Sequence, residues 1–285
     1  MRLGNYFATA LALALPLLIP ARMTGQQAPR GGQSPMPARG AQPPQGPQTG
    51  RALASADLTG YWVSLITEDW RLRMMTPPKG VRNNFPLTPA GIAATNAWDP
   101  AKDEAAGEQC KAYGAVGAIR QPGRLHITWA DDNTLKVETE AGTQTRLFHF
   151  GGVVPGVASA AAAASTSPPG SSPVEPSWQG YSVAVWEYPG GRRGRGPIPQ
   201  TGDLKVVTTR LRPGYLQKNG VPYSANAILT EYFHKTTEPN GDTWLVVAAV
   251  VDDPQYLTQP HARSSNFKKL PDSFSGWDPE ACSSR

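Results

Sequence analysis

From residue 57 to the C-terminus the chain is a succession of short apolar runs bounded by Gly, Pro, Asn or Asp. The runs are rich in aromatic and β-branched residues, which suit a pleated, half-buried surface. They cover 58–66, 125–130, 135–139, 144–150, 181–187, 204–211, 228–235 and 243–251, with a further piece near 265–269. In 135–138, Leu135 and Val137 point one way and Lys136 and Glu138 the other, the period-2 pattern of a strand. The stretch 243–251 is apolar on both faces and predicts a central strand covered on both sides. Turn residues join neighbouring runs at Asp131-Asp132-Asn133, at Glu140-Ala141-Gly142 and at Pro239-Asn240-Gly241-Asp242. Asn-Gly is the strongest of these hairpin signals, because both residues tolerate positive φ.

One segment breaks the pattern. Over 88–109, Thr88 is placed to cap a helix that opens on Pro89, Asp99-Pro100 repeats that signal, and Gly107 suits a stop. About nine strands, mostly joined by hairpins, predict an all-β antiparallel barrel or sandwich of about 8–10 strands with a short helical segment. A barrel closes its own edges, and one of this size has room for a small ligand. Gly and Pro number 29 each, well above ordinary usage of roughly 12% for the two together, which disfavours a helical bundle.

The first 56 residues read differently. A single Arg and an apolar run from Phe7 to Ile19 predict a signal peptide over 1–25. The run is short of the roughly 20 residues that span a bilayer, and an uncleaved anchor is the alternative. Residues 26–50 hold six Pro, six Gln and five Gly, too little apolar surface to offset the entropy of ordering. Residues 26–55 are therefore expected to be a disordered spacer, and 56–285 a single β domain. Two tracts, 152–177 and 188–202, read as flexible inserts. The expected location is periplasmic or extracellular, with no integral membrane span once the leader is removed.

Charge changes the picture by cancelling. The chain has 27 Lys and Arg against 22 Asp and Glu, but five Arg precede Asp57 in a stretch with no acid. The remaining 22 bases balance the 22 acids. A polyanion partner needs basic residues gathered on one folded face, so no nucleic-acid role is expected. The Arg192-Arg193-Gly194-Arg195 tract is one short copy and reads as a solvated loop. Two cysteines, Cys110 and Cys282, lack metal-ligand spacing, and in an exported chain a disulfide between them is the natural inference.

Residues 200–270 resemble a family of exported bacterial lipocalin-like β-barrel proteins of unknown function. The matching residues are Thr208, Thr209, Pro222, Ser224, Leu229, Thr230, Glu231 and Phe233, then Asp253, Pro254, Thr258 and Pro260. They follow the family's Thr-Glu-Arg-Phe and Asp-Pro-x-x-Tyr-Thr-x-Pro pattern, preceded by a Gly-x-Trp opening strand at Gly60–Trp62. The chain departs at Tyr232, where the family tends to Arg, and at His261, where it tends to Trp. The resemblance implies a lipocalin-like barrel and no particular reaction.

No nucleotide-binding, metal or nucleophile motif is present, and no cofactor or metal is expected. Glu231 shares a strand face with Leu229 and Phe233, so it is either an acid/base group in a cavity or half of a structural pair with an Arg such as Arg210 or Arg146. His149 is in phase with Leu147 and is expected to point inward, whereas His126 belongs at the surface. Trp62, Trp70, Trp129, Trp186 and Phe233, with His149 and Glu231, are the candidate lining of a pocket for a small apolar or aromatic ligand. The reading is a barrel that binds such a ligand in its interior cavity, with Glu231 facing that cavity. The alternatives are an isomerase or lyase using Glu231 and His149 as acid and base, and a structural cell-envelope protein.

Overall fold

The computed structural model describes residues 48–82, 85–152, 175–189 and 202–285. Its strands are β1 (Gly60–Leu65), β2 (Arg124–Asp131), β3 (Thr134–Thr139), β4 (Gln144–Phe150), β5 (Tyr181–Glu187) and β6 (Asp203–Thr209). They continue as β7 (Gly214–Gln217), β8 (Val221–Tyr223), β9 (Ile228–Thr237), β10 (Thr243–Asp252) and β11 (His261–Lys269). Nine of them close into a barrel in chain order, with β7 and β8 set aside as a separate hairpin and β11 pairing back onto β1. The three hairpins predicted from turn residues all form. At the second, Gly142 has φ +79°, and a Cβ there would run into the Tyr113 ring, so the turn needs glycine for both conformation and space.

All barrel neighbours are antiparallel except β4 and β5, which are parallel. This corrects the expectation of a purely antiparallel barrel, and the reason is parity. A closed ring with an odd number of strands cannot alternate direction all the way round. The chain between β4 and β5 must therefore return from one end of the barrel to the other, as parallel neighbours require. The 152–177 tract lies within this connection in sequence. Most of it, and the Arg/Gly tract, lie outside the described residues.

The two ends differ. The closed end carries the β2–β3 and β9–β10 turns and the segment 48–56. Trp186 Nε1 donates to Gly50 O (3.0 Å) and Tyr188 donates to Leu53 O (2.6 Å). Gly50 N–H in turn donates to Asn133 (2.9 Å). Leu53, Ala54 and Ala56 pack on the barrel core. Among the described residues, packing on the barrel reaches back to Thr49–Gly50, inside the expected spacer, whose residues 26–47 lie outside the described set.

The other end, here the mouth, carries α1 (Trp70–Met74), α2 (Pro89–Ala97), α3 (Pro100–Ala105), a 3-10 turn (Gln109–Tyr113), α4 (Ala115–Ala118) and the β7–β8 hairpin. The caps are those predicted. Thr88 accepts from Gly91 N–H and Asp99 from Ala101 N–H, and each helix opens on proline. The C-terminal tail runs back from β11 past Tyr61 to the mouth. There the Cys110–Cys282 disulfide fastens it, with Cα atoms 5.1 Å apart across 172 residues of sequence. Chain entropy credits so long a loop with an upper figure on the order of 5 kcal/mol.

The barrel is filled. Trp62, Ile127, Val137, Phe148, Leu204, Phe233 and Phe267 are buried in one cluster. A second cluster at the mouth includes Val116, Leu211, Leu216, Tyr223, Leu229 and Val251. β10 contributes Leu245 and Val247 to the interior, but its other face is not covered, and Ala248 is exposed. The expectation of a strand covered on both sides is corrected: a barrel wall is one sheet thick, and its outer face meets water even where it is apolar.

Candidate functional site

Between the two apolar clusters lies a pair of buried charges. On β9, Leu229 belongs to the mouth cluster and Phe233 to the barrel cluster, with Glu231 between them. Arg146 reaches across from β4 and donates from Nη1 to Glu231 Oε1 (3.0 Å) and from Nη2 to Oε2 (2.6 Å). Both side chains are at most 1% exposed. Arg146 Nη2 also donates to Thr208 (3.3 Å), which bonds Ser182 (2.7 Å), and the guanidinium lies 4.9 Å from the Phe148 ring centre. Only Arg146 Nε has no acceptor. A bidentate pair of this kind offsets much of the desolvation cost of burying both charges. Of the two partners proposed for Glu231 it is Arg146; Arg210 is exposed.

The expectation of a ligand cavity inside the barrel is corrected: the other candidates are packed together or lie on the outside, and the void beside Glu231 holds only about 20 Å³. Trp62, Trp186 and Phe233 are packed in the barrel core, and the Trp62 indole donates to Leu58 O (2.9 Å). Trp129 packs against that core and Phe150, and Trp70 is 56% exposed on α1. His149 sits on the outer face of β4, stacked on Tyr181 with centroids 5.0 Å apart. Burial lowers its pKa against a smaller opposing effect of Asp131. The inward expectation is corrected: β4 turns Arg146 and Phe148 inward and leaves Leu147 43% exposed. His126 is half-exposed and stacked on Tyr61, as expected of a surface histidine.

Above the ion pair, at the mouth, lies an open cleft of about 230 Å³. Its lining comes from the β1–β2 connection (Glu68, Asp69, Leu72, Arg73, Phe85, Arg120, Gln121), from β7 and its turn (Leu216, Gln217, Lys218) and from the start of β11 (His261 to Ser264). A void of about 20 Å³, shared by Arg120, Leu216, His261 and Arg263, lies between this cleft and Glu231.

The cleft is held by a polar web. Arg73 pairs with Glu68 (3.3 Å) and donates from Nε to Arg120 O (3.0 Å). Arg120 pairs with Asp69 (3.0 Å) and donates to Ser264 O (2.8 Å). Glu68 also accepts from Ser264 (3.2 Å) and Asn266 (2.8 Å). Arg263 donates from Nε to His261 Nε2 (2.7 Å) and from Nη1 to Leu216 O (3.3 Å), and stacks 4.1 Å over Phe85. Burial, with Arg263 and Arg120 adding repulsion, pushes His261 down to about 4, so at neutral pH it is an uncharged acceptor.

None of these cleft residues except His261 stood out in the sequence, and His261 did so only as a departure from the family pattern. Positions 73, 120, 217 and 263 have no common motif; barrel closure brings them together. Two residues of that pattern do meet in space. The fully buried Asp253 accepts from Ser224 N–H and Ser224 Oγ (both 2.7 Å), which clamps the start of β9 to the end of β10. No group of three His, Cys, Asp or Glu among the described residues could hold a metal, and no helix among them is long and apolar enough to cross a membrane. No protein-family model, curated protein or solved structure matches the chain.

Proposed function

We propose that this is an exported lipocalin-like binding module that holds a small molecule at the mouth of its barrel without transforming it. The observation that carries the reading is a filled barrel beneath an open, partly apolar cleft. Barrel mouths are a preferred place for small-molecule sites. The apolar interior candidates Trp62, Trp186 and Phe233 form the wall and floor of the fold, and the ligand belongs above them. The acid/base reading loses its pair: both Glu231 oxygens are engaged by Arg146, and His149 is on the outside of β4. Export is supported by the leader-like segment 1–25 and by the long-range disulfide, a bond that persists in oxidising compartments. The likeness over 200–270 favours the lipocalin-like assignment.

The test is native mass spectrometry of the full chain produced with its own leader in a bacterial periplasm. The expected result is a co-purifying small molecule that mild denaturation releases. A bare chain in repeated preparations, with no thermal shift from any of a panel of small organic molecules, contradicts the reading.

A further inference from the structure

The cleft residues carry more positive charge than their partners neutralise. Arg73, Arg120 and Arg263 line it against Glu68 and Asp69, while the ammonium of Lys218 is engaged by Arg285 O (2.6 Å) and the Tyr113 ring. Arg73 and Arg120 each have a carboxylate; Arg263 has none within ion-pair reach among the described residues. Three donors on the lining are also buried without an acceptor: Arg73 Nη2, Arg120 Nε and Gln217 Nε2. The Arg73 side chain is only 3% exposed. A buried donor left unpaired costs about 1–3 kcal/mol, and these three side chains border the cleft with hydrogen-bonding capacity that their neighbours do not fill.

We infer that the mouth cleft is a site for a small organic carboxylate, its head on the Arg73–Arg120–Arg263 cluster and its apolar part against Leu72, Phe85 and Leu216. The inference rests on the binding reading above and names its ligand class. An anion there gains charge-assisted hydrogen bonds from planar guanidinium forks, whose geometry matches a carboxylate. Glu68 and Asp69 border the same space, so a monoanion is favoured over a doubly charged phosphate. The cleft's volume suits a molecule of modest size, and one wall is apolar. The electrostatics agree in direction: burial first, and then the neighbouring Arg120, push Arg263 down to about 9 and Arg73 down to about 10.

The test is an amide NMR titration of the full, disulfide-bonded chain with benzoate, benzamide and inorganic phosphate. Benzoate is expected to move the signals of residues 216–218 and 261–264 and to saturate, more weakly as salt is raised. Benzamide, its neutral isostere, is expected to bind at least about tenfold more weakly, since it forfeits the charge-assisted bonds. Arg263→Gln should weaken benzoate by about tenfold and benzamide by clearly less, and Arg263→Lys should fall between. The benzoate–benzamide comparison on the unaltered chain needs no variant to fold. Equal binding of benzoate and benzamide at these signals overturns the carboxylate assignment and leaves mouth binding standing. Tighter binding of phosphate than benzoate overturns the preference for an organic monoanion. Silence of the mouth signals to all three at millimolar concentration overturns the carboxylate assignment, and together with a bare mass spectrum it removes the binding reading as well.

Discussion

Two groups of arginine sit one above the other in this barrel, and they are held in opposite ways. Arg146 is buried to the last atom and matched to one carboxylate, two bonds to two oxygens. Arg73, Arg120 and Arg263 lie at the rim; Arg73 and Arg120 each have one carboxylate and one unpaired donor, and Arg263 has no carboxylate within ion-pair reach among the described residues. In the first arrangement both carboxylate oxygens are matched and only Arg146 Nε lacks an acceptor, and it joins β4 to β9 between two apolar clusters. The second has three cations to two carboxylates. Burial of charge alone does not mark a functional site. The balance of charge and of hydrogen bonds around it is the better guide, and here it separates a strut from the proposed receptor.

The sharpest way to break that distinction is to remove one half of the strut. Arg146→Met should cost about 3–5 kcal/mol in urea unfolding, because Glu231 is then left buried and alone. The double variant Arg146→Met with Glu231→Leu should recover most of the loss, since well-packed apolar residues often replace a buried pair at little cost. Additive losses in the double variant would show that the pair is not coupled. A smaller effect concerns the rim. His261 is held at about 4, below its ordinary 6.5, by burial and by the arginines around it. The unfolded chain takes up this proton first. The contribution to stability is therefore complete above about pH 6.5 and is lost as pH falls towards 4. His261→Asn should remove that part of the pH dependence; identical slopes in the two proteins would contradict the environment described for the rim. Smallest of all, Trp70→Ala should change stability by no more than about 0.5 kcal/mol, as for other surface substitutions, and leave benzoate binding unaltered. A larger effect on binding would extend the site onto α1.

The strut was half legible in the sequence, and the receptor was not. Alternation and turn residues locate the nine barrel strands, and the caps at Thr88 and Asp99 are visible because local hydrogen-bond chemistry decides them. Glu231 stands out through its apolar neighbours, with Arg146 among its two named partners. His149 was misplaced for the same reason that makes the pair notable. On β4 the inward position next to Phe148 is taken by Arg146, so a reading that puts Leu147 inside inverts the strand. The start of β11, His261 to Ser264, is polar and escapes a search for apolar runs, yet it forms one wall of the cleft. The β7–β8 hairpin is too short for periodicity to register. The arginine cluster joins residues up to 190 positions apart (73 to 263), and only closure of the barrel and the fold of the β1–β2 connection bring them together.

The most direct measurement is a crystal structure of the full chain grown with benzoate. It should show the carboxylate within hydrogen-bond distance of Arg263 and its two arginine neighbours. The ring should lie against Leu72, Phe85 or Leu216, and the Arg146–Glu231 pair should stay intact beneath it. Benzoate among Trp62, Trp186 and Phe233, with the barrel core opened to admit it, would contradict the account.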